Sequence, residues 1–185
     1  KTTYLTALSI QALFFYLFLE NSRKPKPGIY SFSFVIALII ISNICYWITT
    51  FYLEDTIEPD RLYSVLRFIG DLAFNGLPIF VFGVIGIPIY KHMYDYTQEA
   101  RPLILGIAVS LVAFGYVLTL IVDVAEFIAG ETGPFLNVLL GFGDTIPVIG
   151  LLLFMLLYAL NISYIYRLPY DHFLLMVTHE SGLVL

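Results

Sequence analysis

The stretch Arg61–Tyr90, RLYSVLRFIGDLAFNGLPIFVFGVIGIPIY, decides the fold, because after Arg67 it is almost wholly apolar. A helix of ~20 apolar residues, rising about 1.5 Å per residue, crosses a hydrocarbon core ~30 Å thick. This stretch is longer than that. We therefore expect a membrane helix that is tilted, is kinked near Gly76–Pro78, or ends in the interface.

Three polar side chains lie four residues apart along this stretch, namely Arg67, Asp71 and Asn75. Residues at this spacing share one face of a helix, so the guanidinium and the carboxylate can pair. Asp71 lies roughly 14 Å into a regular helix, and an ionisable group at that depth usually faces the bundle interior or water. This polar stripe is therefore the first candidate site, although Asp71 could serve only to neutralise Arg67.

The composition of the whole chain indicates an integral membrane protein. Of its 185 residues, 59% are hydrophobic and 12% are charged, whereas about a quarter of the residues in soluble domains are charged. The formal net charge of −5 argues against a nucleic-acid partner. A single cysteine, Cys45, excludes a disulfide within the chain. We expect a multi-pass protein of the plasma membrane, surrounded by membrane lipids.

Five long apolar segments, separated by short polar breaks, predict about five transmembrane helices. They lack the alternating pattern of membrane β-strands, and short connections favour antiparallel neighbours in an up-and-down bundle. We therefore predict an all-α membrane helix bundle over residues 1–168. The segments are Tyr4–Leu19, Ile29–Leu53, Leu62–Tyr90, Pro102–Ile128 and Pro134–Tyr166.

The fifth segment is too long for one simple span, and the sequence GFGDTIP at 141–147 is typical of an interruption. We predict a short outer helix over Pro134–Leu140, followed by a spanning helix, Thr145–Tyr166, with Asp144 as its N-cap. Pro147 would then lie in the first turn, where proline is tolerated because the backbone N–H groups have no partners there.

The basic residues predict the orientation, because cytoplasmic loops are enriched in lysine and arginine. Acidic residues predominate in the second loop, residues 54–61, whereas most basic residues lie in the first and third loops and after the last helix. We therefore place the N-terminus outside the cell and the C-terminus in the cytoplasm. The basic residues on the predicted cytoplasmic side are Arg23, Lys24, Lys26, Lys91, Arg101 and Arg167.

The tail, residues 169–185, predicts the start of a cytosolic domain. Phe173–Val177 is a strand-like run, Glu180–Gly182 is a turn signal, and Leu183–Leu185 is apolar again. A β-hairpin that stops in its second strand explains this pattern. A short apolar helix at the surface is the alternative.

Several carboxylates lie in the predicted outer half of the bundle. Asp123 and Glu126 are three residues apart and so share a helix face. Together with the polar stripe and Asp144 they predict an acidic pocket, open to the exterior, for a cation, a proton or a cationic ligand. Each also has a simpler explanation, which is solvation at the interface for Asp123 and Glu126 and helix capping for Asp144. The predicted site residues are Arg67, Asp71, Asn75, Asp123, Glu126 and Asp144.

No motif supports catalysis, so we expect a protein that is not an enzyme. The sequence contains nothing like the metalloprotease, serine hydrolase, phosphate-binding or dinucleotide-binding motifs. The histidines His92, His172 and His179 lie outside the predicted spans. We therefore expect no haem or metal held between the helices, and no other cofactor.

From Ala12 to Tyr90 the order of features resembles the N-terminal seven-helix sensory region of membrane histidine kinases. Only two further spans follow, where that family has four. The tail resembles the opening of roadblock or longin-like α/β domains in archaeal signalling proteins, of which the first hairpin would be present. Both resemblances imply a membrane input module joined to a cytosolic output domain. The matching features are RKPKPG at 23–28, Trp47, Leu53–Glu54, Leu62, Arg67–Gly70, Pro78, Phe80 and Phe82.

The sequence thus predicts a transmembrane sensory or receptor module that passes the signal of an external ligand, lipid or cation to a cytosolic domain, working as a homodimer. A cation- or proton-coupled transporter or channel is an alternative, because such proteins bind ions with intramembrane carboxylates and interrupted helices. A structural subunit of a membrane complex, in which the polar residues serve assembly, is a third.

Overall fold

A computed structural model of the protein describes residues 2–23, 28–53, 61–129 and 133–160. Helices account for these residues apart from Gly28, Gln98, Glu99 and Gly133, so the predicted all-α bundle is confirmed. A π-helical turn, Thr49–Leu53, prolongs the second helix, and a π-helical segment, Ile79–Gly86, joins the third to the fourth. The α-helices are α1 Thr2–Arg23, α2 Ile29–Ile48, α3 Arg61–Pro78, α4 Ile87–Thr97, α5 Ala100–Ala129 and α6 Pro134–Leu160.

Among the described residues, four continuous helices are long and apolar enough to cross a membrane. The helix α1 has 22 residues, but its apolar part, Ser9–Glu20, is shorter than those of the others. Large apolar side chains also cover the outside of the bundle, as at Leu152 and Met155, which suits contact with lipid rather than water. The four candidate spans are Ile29–Phe51, Arg61–Thr97, Ala100–Ala129 and Pro134–Leu160.

Contacts between neighbouring helices follow an up-and-down order. Between α2 and the helix Arg61–Thr97, Tyr46 bonds to Asp71 near one end, and Phe34 packs on Phe80 nearer the other. Residue numbers therefore rise along one helix as they fall along its neighbour. The same relation holds between Arg61–Thr97 and α5, and between α5 and α6. The predicted antiparallel arrangement is present for these pairs.

The core lies where α1, the π-helical segment and α5 meet. Phe15 of α1 packs against Phe82, with ring centroids 5.3 Å apart, and against Phe154 of α6 at 5.7 Å. These contacts bring α1 and α6 together in the half of the bundle that contains the C-terminal end of α1. The largest side chains with almost no exposure in this core are Tyr16, Leu19, Val35, Leu77, Val81, Val109 and Val112.

Glycines bring α5 and α6 unusually close. A Cβ added to Gly115 would overlap the ring of Pro147, and one added to Gly143 would lie 2.5 Å from Thr119 Oγ1. Gly150 approaches the backbone of α5 in the same way. Small residues at such positions let two membrane helices gain packing contacts that larger side chains would prevent.

This close approach explains why the predicted break in the fifth segment is wrong. The helix α6 is continuous from Pro134 to Leu160, and Asp144 lies in its interior rather than at an N-cap. Proline inside a helix removes one backbone hydrogen bond and crowds the preceding turn. Here Pro147 is buried against Gly115. Packing between the helices therefore overrides the local signal for a break.

The continuous helix that begins at Arg61 extends well past Tyr90, the predicted end of the third apolar segment. The polar sequence at 91–101 is mostly helical, because α4 continues to Thr97 and only Gln98 and Glu99 connect it to α5. Gln98 has φ 55° and ψ 20°, and its N–H donates to the Tyr94 carbonyl at 2.8 Å. A residue in this left-handed conformation is a common way to end a helix.

Near Gly76–Pro78 the chain stays helical but changes its geometry. Pro78 ends α3, and the wider turns of the π-helical segment Ile79–Gly86 follow directly. Proline lacks the N–H that a regular helix would use there, and π-helical turns are frequent at functional sites.

The predicted β-hairpin of residues 169–185, and the part of the fifth segment after Leu160, lie outside the described residues. The placement of the N-terminus outside the cell and the C-terminus in the cytoplasm stays a prediction.

Candidate functional site

Polar side chains gather at one end of the bundle, where the second half of α2, the first half of the continuous helix Arg61–Thr97 and the end of α5 meet. Because α2 and α5 both run antiparallel to the helix Arg61–Thr97, residues late in α2 and α5 lie beside residues in the first half of that helix. We call this set the acidic cluster, and its members are Tyr46, Arg67, Asp71, Asn75, Asp123 and Glu126.

A hydrogen bond between α3 and α5 forms the centre of the cluster. Asn75 is only 5% exposed, and its Nδ2 donates to Asp123 Oδ2 at 2.6 Å. A buried amide needs such a partner, because leaving its N–H groups unpaired in an apolar environment is costly. A bond to a carboxylate is shorter and stronger than one between neutral groups. The bond therefore holds α3 and α5 together through a charge.

A second carboxylate lies on the α2 side of α3. The hydroxyl of Tyr46 donates to Asp71 Oδ1, and Arg67 Nε lies 3.9 Å from Asp71 Oδ2, so the predicted pairing along the helix is present. The Arg67 side chain is 56% exposed and that of Asp71 25% exposed. A contact of this length at an exposed rim neutralises Asp71 only weakly. The ring of Tyr46 also packs edge-on against Phe74, with centroids 6.3 Å apart.

Glu126 adds a third carboxylate at the exposed edge. It lies close enough to Arg67, Asp71 and Asp123 to interact with their charges. Beside it Phe68 of α3 stacks on Phe127 of α5, with ring centroids 4.2 Å apart. With three carboxylates and one guanidinium, the cluster presents a negative potential to any approaching ion.

The structure brings five of the six predicted site residues together, and Asp144 is the exception. Gly143 and Pro147 face α5, so the intervening Asp144 is turned about 100° away around the helix. It is exposed, and it makes no ion pair with the cluster within the described helices. That the other five bind a ligand stays a prediction.

Tyr46 was not among the residues predicted for the site, although it holds Asp71 in place. A signal was available, because Tyr46 lies inside its apolar segment, whereas most tyrosines lie at the segment ends. A tyrosine within a span needs a partner for its hydroxyl, and a carboxylate on a neighbouring helix can accept that hydrogen bond.

Several polar contacts elsewhere in the bundle join neutral groups and have a structural explanation. Between α1 and α2, Thr6 Oγ1 donates to Asn43 Oδ1 at 2.8 Å, and Asn43 Nδ2 donates to Ser9 Oγ at 3.3 Å. Such side-chain bonds join helices in membranes. No buried side-chain nitrogen or oxygen lacks a hydrogen-bond partner in the part of the chain that the structure describes.

In the described part of the chain, one buried carboxylate lies outside the cluster, at the opposite end of the bundle. Glu20 is 4% exposed, and its Oε1 accepts a hydrogen bond from the backbone N–H of Gly28, at 3.2 Å, where α2 begins. A carboxylate at this position satisfies an N–H that has no partner within the helix, and it complements the positive end of the helix dipole. Glu20 therefore serves as a cap.

The cluster is not a preformed metal centre. Over residues 2–23, 28–53, 61–129 and 133–160, no three histidine, cysteine, aspartate or glutamate side chains lie close enough together to hold a metal ion. Its carboxylates suit a ligand that carries positive charge and makes hydrogen bonds to separate oxygen atoms.

No protein-family model matches the chain, and comparisons with curated proteins and with solved structures gave no match either. The geometry of the acidic cluster is therefore the basis on which a function can be inferred.

Proposed function

We propose that the chain is a transmembrane sensory module whose acidic cluster binds the positive charge of an external ligand, a lipid or a cation. The bond between Asn75 and Asp123 is the observation that carries this proposal, because it places a charge in the contact between two membrane helices. An ionisable group in such a position is costly and usually functional.

The way the cluster is shared among helices supports a sensory role. Asp71 contacts α2 through Tyr46, while Asp123 contacts α3 through Asn75. A cation that draws either carboxylate toward itself therefore weakens a bond between helices and favours a different packing of the bundle. A ligand shifts such an equilibrium only as far as it binds one arrangement better than the other.

A continuous helix leads from the cluster to the opposite end of the bundle. The 27 residues from Asp71 to Thr97 extend over roughly 40 Å at the usual rise per residue. Near that far end the hydroxyls of Tyr90 and Tyr158 hydrogen-bond at 2.9 Å, which joins α4 to α6. A movement of α3 can therefore reach α6, the helix that leads toward the tail.

The same continuity makes a transporter the weaker candidate. Transporters commonly bind ions between the ends of two half-helices near the middle of the membrane, whereas Arg61–Thr97 is unbroken beside the cluster. We propose further that the module works as a homodimer in the plasma membrane and that residues 169–185 begin its output domain. The order of features from Ala12 to Tyr90, which resembles the sensory region of membrane histidine kinases, supports this view.

Cation binding can be tested by thermal unfolding of the purified protein in phosphatidylcholine nanodiscs, with sodium, calcium or ethylammonium added at constant ionic strength. We expect at least one of them to raise the Tm of the wild type and of Asp144→Asn, because Asp144 lies outside the cluster. The same cation should not raise the Tm of Asp123→Asn. An equal response of both variants would contradict binding at the cluster.

Signal transfer needs a second readout at the far end. Spin labels at His92→Cys and Leu160→Cys, both exposed, report the distance between α4 and α6. We expect the cation that raises the Tm to change this distance in the wild type and not with Asp123→Asn. Binding without any change in distance would contradict the sensory role and favour a structural one. Flux of the cation into sealed liposomes would instead favour a transporter.

A further inference from the structure

One carboxylate of α6, Asp144, is exposed halfway across the candidate span and has no part in the acidic cluster. It follows Pro134, where the span begins, by ten residues, which is roughly 15 Å along a helix. That is half of a hydrocarbon core ~30 Å thick. The exposed neighbours Phe142, Val148 and Ile149 are all apolar. The carboxylate therefore lies in a surface that otherwise suits contact with lipid.

Contacts between α5 and α6 give the same depth independently. A Cβ on Gly143 would lie 2.5 Å from Thr119 Oγ1, so these two positions are level with each other. Because α5 and α6 run antiparallel, Asp144 lies about five residues, or roughly 7 Å, further from the outer end of α5 than Asp123 does. Asp144 is therefore deeper in the bundle than either α5 carboxylate of the acidic cluster.

At this depth Asp144 has no partner of its own. No hydrogen bond or ion pair joins its side chain to any residue that the structure describes. An ionisable group within a membrane span normally pairs with another polar group or reaches water. Long basic side chains can extend to the interface, but an aspartate side chain is too short to do so. The partner of Asp144 therefore has to come from another molecule inside the membrane.

A second polar side chain lies on the same side of the bundle. Gln11 is exposed within the apolar part of α1, Ser9–Glu20, and its amide has no hydrogen-bond partner among the described residues. Gln11 and Leu151 of α6 border one small crevice. Leu151 follows Asp144 by seven residues, a spacing that keeps both on one helical face. Gln11 and Asp144 are therefore about two turns, or roughly 10 Å, apart along one side of the bundle.

We propose that this side, the α1–α6 face formed by Gln11, Asp144 and Val148, binds a membrane-spanning helix of another protein that carries a lysine or arginine near the middle of its span. Charge complementarity determines the partner, because only a cation neutralises Asp144 at this depth, and a side chain on a helix can hold one there. This inference goes beyond the proposed function and does not depend on it.

The described helices explain why the partner is not a second copy of this chain. Their lysines and arginines lie near the helix ends, so a second copy has no basic side chain to offer at the depth of Asp144. Gly141 also leaves room for a foreign helix. It lies one turn before Asp144, and a Cβ added there would meet nothing within 4 Å. Small residues at such positions let two membrane helices approach closely.

The test uses a synthetic membrane-spanning leucine peptide with one central lysine and a benzophenone beside it, reconstituted with the full chain in phosphatidylcholine vesicles. A central lysine lies in the middle of the membrane in either orientation of the peptide. After illumination, mass spectrometry locates the crosslinks. We expect crosslinks to residues 141–148 at a peptide-to-lipid ratio about tenfold lower than with leucine or glutamate at the centre.

Moving the lysine about five residues toward one end shifts it by roughly 7 Å and should remove this preference. Equal crosslinking by the lysine, leucine and glutamate peptides would overturn the proposal. Crosslinks that fall instead on lipid-facing residues of α2, such as Ile44, would overturn it as well.

Matched variants assign the preference to the carboxylate. Asp144→Asn should reduce crosslinking of the lysine peptide to the level of the leucine peptide. Thr145→Val should leave it unchanged, because the exposed Thr145 hydroxyl bonds to the Gly141 carbonyl of its own helix. Asp144→Lys should reverse the preference in favour of the glutamate peptide. A lysine preference that persists in folded Asp144→Asn would contradict the proposal, and if Asp144→Lys does not fold, the three peptides on the wild type still decide it.

Disulfide formation by Val148→Cys without peptide tests the alternative of a second copy. Disulfide-linked dimers that form with Asp144 present and disappear with Asp144→Asn would assign the α1–α6 face to a second copy and overturn the proposal. The proposed function is tested separately, because the cation response at the acidic cluster is measured without peptide and depends on Asp123. Loss of that response beside an intact lysine preference would refute the sensory function alone, and the reverse result would refute only the partner helix.

Discussion

A double-mutant cycle on Asn75 and Asp123 tests whether this hydrogen bond contributes to the stability of the bundle. Asn75→Ala leaves the carboxylate of Asp123 without its bond from α3, and Asp123→Ala leaves the buried amide without its acceptor. Each single change should therefore destabilise the protein by more than the net value of the bond, because it leaves a polar group unpaired. The double variant removes both groups, so the cycle isolates the pairwise energy.

The magnitude follows from two opposing effects. A hydrogen bond to a charged group contributes about 1.5–3 kcal/mol in proteins, but bonds between helices in membranes average about 0.6 kcal/mol and reach about 1.7 kcal/mol. The bond here is charged, 2.6 Å long and formed by a side chain that is 5% exposed. These features favour the upper part of the membrane range. We expect a coupling energy of about 1–2 kcal/mol.

The assay is reversible unfolding in lipid bicelles, followed for the wild type, both single variants and the double variant. Thr145→Ala is the control, because the Thr145 hydroxyl is exposed and bonds within its own helix to the Gly141 carbonyl. It should change the free energy of unfolding by less than about 0.5 kcal/mol. A coupling energy below about 0.3 kcal/mol, which is within the usual error of additivity, would refute the role we give to the bond.

Three further predictions follow from single contacts. Gly115→Ala should lower the free energy of unfolding by about 1–3 kcal/mol, because its Cβ would overlap the Pro147 ring. Gly141→Ala, which has open space around its Cβ, should instead raise the free energy of unfolding by about 0.5–1 kcal/mol. Equal effects of the two variants on unfolding in bicelles would contradict the close contact between α5 and α6. Tyr46→Phe should lower the free energy of unfolding by about 1 kcal/mol in the same assay, because Asp71 loses the hydrogen bond that the Tyr46 hydroxyl donates. An unchanged free energy of unfolding would contradict this bond. Gln98→Gly should raise the Tm and increase the free energy of unfolding by about 0.5–1 kcal/mol, because glycine adopts the left-handed conformation found there without strain. A lower Tm would show that the contacts of the Gln98 side chain stabilise the protein more than its backbone conformation costs.

The regular part of the fold could be predicted from the sequence because hydrophobicity is a property of each segment alone. The long apolar runs predicted the helices, and the four-residue spacing of Arg67, Asp71 and Asn75 predicted a shared face. Both were confirmed. What failed were predictions that treated a local signal as decisive. The glycines, Asp144 and Pro147 would end a helix in isolation, yet α6 continues, because its glycines and proline fit closely against α5.

The candidate site could be predicted only in part, for a related reason. Sequence spacing places residues on one helix relative to each other, so Arg67, Asp71 and Asn75 were within its reach. It does not tell which neighbouring helix supplies the partner, so Tyr46 was missed, and Asp144 was predicted beside five residues from which the structure separates it.

The contrast between two polar contacts shows why the acidic cluster calls for more than a structural explanation. Asn43 joins α1 to α2 with neutral partners, which is enough to hold two membrane helices together. At the cluster, a carboxylate performs the same task between α3 and α5, and two more carboxylates lie nearby with one arginine at the rim. Charge adds a cost that adhesion alone does not need. If Asp123→Asn, which keeps the shape of the side chain and can still accept a bond from Asn75, folds as stably as the wild type, then stability does not require the charge. Loss of the cation response in that same variant would then assign the carboxylate to ligand binding.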